Sequence, residues 1–135
     1  MLLDAPCSSE ARFFVKDPRT YSYWKPRKVK EMSHKQKRLL VAALRVLKKG
    51  GILVYSTCTF SPEENEEVIN YVWERYKDKI ELEEIKLPLK NKKRGLLHWK
   101  GRKFNICVRK TFRIIPNNIF EGFFVARIRK VDSFV

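Results

Sequence analysis

Gly50-Gly51-Ile52-Leu53-Val54-Tyr55-Ser56-Thr57-Cys58-Thr59-Phe60-Ser61-Pro62-Glu63-Glu64-Asn65-Glu66 reads as a helix stop, a short strand, a cysteine on a turn and a helix start. Residues 52–55 are apolar and mostly β-branched or aromatic, the pattern of a strand covered on both faces. Ser61 suits an N-cap, Pro62 the first helical position and Glu64 the carboxylate of a capping box. Cys58 is thereby predicted at the carboxyl end of a parallel strand, beside a helix N-terminus. Open α/β sheets bind ligands there, and a thiol in that setting loses its proton more readily. A buried structural cysteine fits the same spacing equally well.

Outward from this stretch, residues 33–48 are predicted helical, with Ser33 as cap and Leu40, Ala43, Leu44 and Leu47 on one face. Residues 62–76 form a second predicted helix with Val68, Ile69, Val72, Trp73 and Tyr76 as its apolar stripe. Its carboxylates Glu63, Glu64, Glu66 and Glu67 suit the positive helix end and solvent. Strands are expected at 80–87, 104–108, 111–115 and 123–130, and a basic loop at 89–103 carries Lys92, Lys93, Arg94, Arg102 and Lys103. Cys107 is expected in the core. Residues 2–5 look like the last residues of a buried strand whose beginning is missing, as in a truncated or split reading frame. Pro6 fixes the turn that follows. Asp4 at that strand end is a ligand group or a turn residue.

Residues 12–32 show little periodicity. Lys25, Arg27, Lys28 and Lys30 are interleaved there with Tyr21, Tyr23 and Trp24, the mixture that neutralises phosphates and stacks on unpaired bases; a solvated loop pinned by its aromatics is the plainer reading. The whole chain of 135 residues carries 30 Lys and Arg against 15 Asp and Glu, a formal charge of +15. That excess points to a polyanionic partner, nucleic acid before an anionic membrane surface. Three separated cysteines and two histidines lack metal-ligand spacing, so no metal site is expected. The cysteines read as reduced and intracellular. No signal peptide or membrane-length apolar run is present. The chain is read as one unit, residues 1–135.

Taken together, Asp4-Ala5-Pro6-Cys7-Ser8-Ser9, the 50–66 stretch, Arg113-Ile114-Ile115-Pro116 and Gly122-Phe123-Phe124-Val125-Ala126 resemble the Sun-type RNA (cytosine-5) methyltransferases over nearly the whole chain. The resemblance implies an α/β fold: the C-terminal half of a class I, Rossmann-like sheet with parallel strands, an antiparallel C-terminal edge and helices packed on the faces. It implies S-adenosylmethionine as cofactor, tRNA or rRNA as substrate, and a cytoplasmic or, in a eukaryote, nucleolar location. By the same resemblance Cys58 matches the nucleophile, Cys7 the cysteine that assists product release, Asp4 an acid beside cofactor and target base, and Pro6 the cofactor-side turn. Two cysteines suit the chemistry. Carbon 5 of cytosine is a poor nucleophile until a thiolate adds at carbon 6, and the adduct must afterwards lose a proton and expel the cysteine. DNA cytosine methyltransferases attack with the Pro-Cys cysteine, but they need a Glu-Asn-Val-type segment that Asn65-Glu66-Glu67-Val68 does not supply. Glu121 stands where the family usually has Asp, and Asn117 where His is common. The family's glycine-rich cofactor loop has no match in residues 1–135. The expectation is therefore a partial catalytic domain, working in a longer polypeptide or with the missing N-terminal half of the domain as partner. The competing expectation is a catalytically inactive, basic RNA-binding remnant.

Overall fold

The computed structural model describes residues 1–134. A mixed sheet is built around β2 (Ile52–Thr57). On one side β2 pairs in parallel with β1 (Leu2–Asp4), Asp4 standing opposite Ser56. On the other it pairs antiparallel with β8 (Phe123–Lys130), Tyr55 opposite Ala126. The far edge of β8 is shared: β3 (Ile80–Glu83) pairs with its second half and β7 (Phe112–Ile114) with its first. β4 (Lys92–Arg94) extends the sheet beyond β7. β5 (His98–Trp99) and β6 (Arg102–Lys103) form a separate hairpin. Beyond β1 no described strand pairs, so its outer edge is open and Leu2 is 69% exposed.

The core lies on one face of this sheet. Leu53 and Tyr55 on β2, Phe124, Ala126 and Ile128 on β8, and Ile80 and Leu82 on β3 form it with Leu40 and Leu44 of α1 (Pro26–Val46) and Val68, Ile69 and Val72 of α2 (Glu66–Tyr76). Period-2 alternation on β8 and helical spacing on α1 and α2 direct these side chains to one place. Both helices therefore cover the same face. Ile52 and Val54, on the opposite face, are only half-buried, so β2 is not enclosed on both sides as its composition suggested.

Several local expectations change. α1 begins at Pro26 rather than Ser33, because proline serves as a first helical residue; Ser33 is interior and donates to the Glu63 carbonyl at 2.6 Å. Lys25, Arg27, Lys28 and Lys30 thus lie at the start of a helix, not in a loop. α2 begins at Glu66, and residues 62–65 form a turn. Ser61 does not cap it: its hydroxyl is committed to Glu10 at 2.5 Å. The strand expected over 80–87 ends at Glu83. Residues 89–103, read as loop, contain β4, β5 and β6. The strand expected over 104–108 is absent: Ile106–Lys110 form a 3-10 turn capped by the Asn105 side chain. Cys107 there is partly buried against the core, and burial pushes its thiol up to about 11.

Candidate active site

Parallel pairing of β1 with β2 makes both chains leave the sheet at the same end. Ala5 N–H still donates to the Ser56 carbonyl at 2.9 Å, after which the two strands turn away. Cys7 follows one and Cys58 the other, and their sulfurs lie 3.3 Å apart. Ser9, at φ 58°, occupies the left-handed region that most side chains avoid. Its hydroxyl lies 3.7 Å from Cys7 Sγ and 3.6 Å from Cys58 Sγ. Ala11 N–H donates to the Cys58 carbonyl at 3.1 Å, tying the turn after β1 to the turn after β2.

The two thiols differ electrically. The hydrogen bond from Cys7 lowers the Cys58 thiol to about 6, with Ser9 and the Arg12 charge acting in the same direction, against partial burial and Asp4. Cys7 moves the other way, because its proton is held by Cys58 and the site desolvates it. The two shifts run in opposite directions, so Cys58 is the sulfur that gives up its proton more readily. Both are half-buried.

Beneath the sulfurs a buried polar network fixes both turns. Glu64 is fully buried and accepts the Ser8 amide at 2.8 Å, the Ser8 hydroxyl at 2.5 Å and the Gln36 amide at 3.0 Å. Gln36 also donates to the Pro6 carbonyl at 2.8 Å. Thr59 shares the Ser8 hydroxyl at 2.8 Å and donates to Glu10 at 2.9 Å. Asn65 donates to the Thr59 carbonyl at 2.9 Å and accepts from Thr57 at 2.5 Å. Burial raises the Glu64 carboxyl, and the donors around it offset part of that shift. Glu64 is therefore not the exposed capping carboxylate its spacing suggested. Glu66 is also buried, held by two bonds of 2.6 Å from the Arg113 guanidinium, which reaches the Phe60 carbonyl at 2.9 Å as well. Phe60 packs so closely on Gly122 that a Cβ there would stand 2.3 Å from its ring.

Asp4 sits at the mouth of the same end, exposed, with one carboxylate oxygen taking the Ser56 hydroxyl at 3.0 Å. Asp4, Pro6, Cys7 and Cys58 thus converge. Lys25, Arg27 and Lys30 are exposed on the first turns of α1, with Lys28 half-buried, and they do not enter the sulfur cluster. Sequence reading passed over Gln36 and missed the buried partnership of Ser8, Gln36 and Glu64 that holds the cysteine turns. Their only signal was polarity at positions that the topology buries.

A family model described as 16S rRNA methyltransferase RsmB/F matches residues 1–129. A tRNA (cytosine(49)-C(5))-methyltransferase of Pyrococcus abyssi is 49% identical over 133 residues, covering 96% of this chain and 41% of that protein. A ribosomal RNA small subunit methyltransferase F of Pectobacterium carotovorum subsp. carotovorum is 36% identical over 138 residues, covering 98% of this chain and 25% of that one. The crystal structure of a methyltransferase homolog from Pyrococcus horikoshii superposes with a TM-score of 0.73 at 38% identity, over 96% of this chain and 38% of that one. The chain spans less than half the length of each of these relatives.

Proposed function

The chain belongs to the 16S rRNA methyltransferase RsmB/F family, and from that premise we propose that it carries the cysteine-bearing part of an RNA 5-methylcytosine methyltransferase acting on tRNA or rRNA. The observation that carries this reading is the pair of sulfurs 3.3 Å apart, Cys58 giving up its proton more readily, at the end of two adjacent parallel strands. Cys58, as thiolate, adds to carbon 6 of the target cytosine and makes carbon 5 nucleophilic. S-adenosylmethionine, when bound, supplies the electrophilic methyl group. Asp4 and Pro6 fit one wall of a site for it: the carboxylate is exposed at the strand end, and the proline carbonyl is fixed by Gln36. Asp4 can also meet the ring nitrogen or amino group of the cytosine. Once Cys58 is a thioether it carries no charge, and the main influence that kept the Cys7 proton in place is gone. Cys7 then loses its proton to solvent, takes the proton from carbon 5, and donates its S–H to the departing Cys58 thiolate. That sequence restores the resting pair.

Lys25, Arg27, Lys28 and Lys30 are proposed to bind phosphates beside this site. The open edge of β1, with Leu2 exposed, is proposed to pair with a strand from the N-terminal half of a complete domain, in the same polypeptide or a separate one. Among the described residues no helix is long and apolar enough to cross a membrane, and reduced thiols suit the cytoplasm.

Transfer of labelled methyl to cytosine-containing RNA, with that half supplied, tests the reading. Cys58→Ala should abolish both transfer and the protein–RNA adduct, whereas Cys7→Ala should let the adduct accumulate as a slow band on a denaturing gel. Normal methylation by Cys58→Ala would refute the assignment. The second reading, an inactive RNA-binding unit, draws on the charge of +15, and any transfer dependent on Cys58 disposes of it.

A further inference from the structure

Beside the sulfur cluster lies a cavity of about 380 Å³ whose walls include Trp24, Phe60 and Trp99, with Glu10, Pro62 and Lys100. That volume falls in the range of small-molecule sites, about 300–1,000 Å³. It adjoins the reacting end directly. Glu10 accepts the Thr59 and Ser61 hydroxyls, and Phe60 and Ser61 belong to the turn that carries Cys58. Through shared walls at Pro26, Val29 and Glu63 it continues into a second cavity of about 390 Å³, lined by Lys30, Ser33, His34 and Lys37 along α1. The result is a trough that is aromatic next to the cysteines and of mixed charge further along, with Lys30 and Lys37 beside Glu63 and Glu67.

We propose that this trough takes the single-stranded RNA flanking the target cytosine, with one neighbouring base held among Trp24, Phe60 and Trp99. The proposal rests on the RNA methyltransferase reading and adds a site to it. Three features favour a base over other occupants. Indole faces stack on any base, and here two indoles meet in one cavity. The buried Trp24 Nε1 has no partner among the described residues, and a shift of the ring that opened it to the cavity would give a base nitrogen or carbonyl a donor. Glu10 accepts only hydroxyls, and the other acids in the walls are matched: Glu63 takes the Trp99 indole N–H at 3.0 Å and Lys100 at 3.2 Å, and Glu67 takes Lys37 at 2.8 Å and Arg102 at 3.1 Å. Their charge is thus offset, and the exposed Lys30 remains to meet phosphate. Trp99 is carried on the β5–β6 hairpin, whose turn uses Lys100 and Gly101 at positive φ, so the hairpin forms one wall of the aromatic part.

The test is titration of the full 135-residue chain with a cytosine-free heptaribonucleotide, followed by tryptophan fluorescence, and with the same oligomer made abasic. Quenching with saturable binding is expected, weakened about tenfold in Trp99→Ala and in the abasic oligomer, the size that loss of one stacked base gives. Trp24→Phe, which keeps a ring but loses the N–H, should weaken binding less and change preference among bases. Equal affinity for the intact and abasic oligomers by the unaltered protein would overturn the proposal, even if the variants failed to fold. Because the oligomer contains no cytosine, this result is independent of whether Cys58 forms its adduct.

Discussion

At the scale of single residues, the proposed function rests on the unequal hold of two sulfurs on a proton. Cys58 is lowered to about 6, so it is a thiolate at neutral pH and takes up its proton as the pH falls through that value. Alkylation of Cys58 by iodoacetamide should therefore rise with a midpoint near pH 6. In Cys7→Ala, which removes the largest stabilising influence on the thiolate, the midpoint should move upward; an unchanged midpoint would assign the shift to Ser9 and Arg12 instead. Glu64 is the second critical residue. Glu64→Leu orphans the buried Ser8 amide and strips the Ser8 hydroxyl and the Gln36 amide of one acceptor each, leaving them Thr59 and the Pro6 carbonyl; a buried orphaned group costs about 1–3 kcal/mol. A loss of about 1–3 kcal/mol in urea unfolding is expected, with much less loss from the equally polar but exposed Glu121 on mutation to alanine.

Among the elements, α2 and β7 are joined by the Arg113–Glu66 pair, in which the glutamate is wholly buried. Removing one partner of such a pair costs about 3–5 kcal/mol because the other charge is stranded. Arg113→Ala should lower the melting temperature sharply, and Arg113→Met combined with Glu66→Leu should recover much of the loss. β2 and β8 were legible in the sequence because their pattern is local: an apolar run closed by turns, and Phe124, Ala126 and Ile128 alternating with Arg127 and Arg129. α1 was only half legible. Its first turns are mostly basic and polar, and their helicity comes from Pro26 and from packing on the 62–65 turn, which no periodicity records. The start of α2 was misread for the opposite reason. Ser61, Pro62 and Glu64 have the chemistry of a cap, but tertiary partners at Glu10, Ser8 and Gln36 claim those side chains. The meeting of Cys7 with Cys58 follows from strand pairing, and only the family resemblance anticipated it.

For the molecule as a whole, a charge of +15 makes RNA affinity a matter of counterion release. Affinity should fall linearly on logarithmic axes with salt, and substituting Lys25, Arg27 and Lys30 together by alanine should flatten the slope by about 2, at roughly 0.7 per phosphate contact on a single strand. An unchanged slope would move the phosphate track elsewhere, the basic strands β4 and β6 being the next place to look. The same charge says nothing of chemistry, which the proposed function places in one thiol pair. The most direct measurement uses RNA with 5-fluorocytosine at the target position, since fluorine cannot leave carbon 5 as a proton does and the adduct is trapped. Peptide mapping by mass spectrometry, on protein completed by its cofactor-binding half, should find the nucleotide on Cys58. A nucleotide found on Cys7, with Cys58 unmodified, would contradict the account.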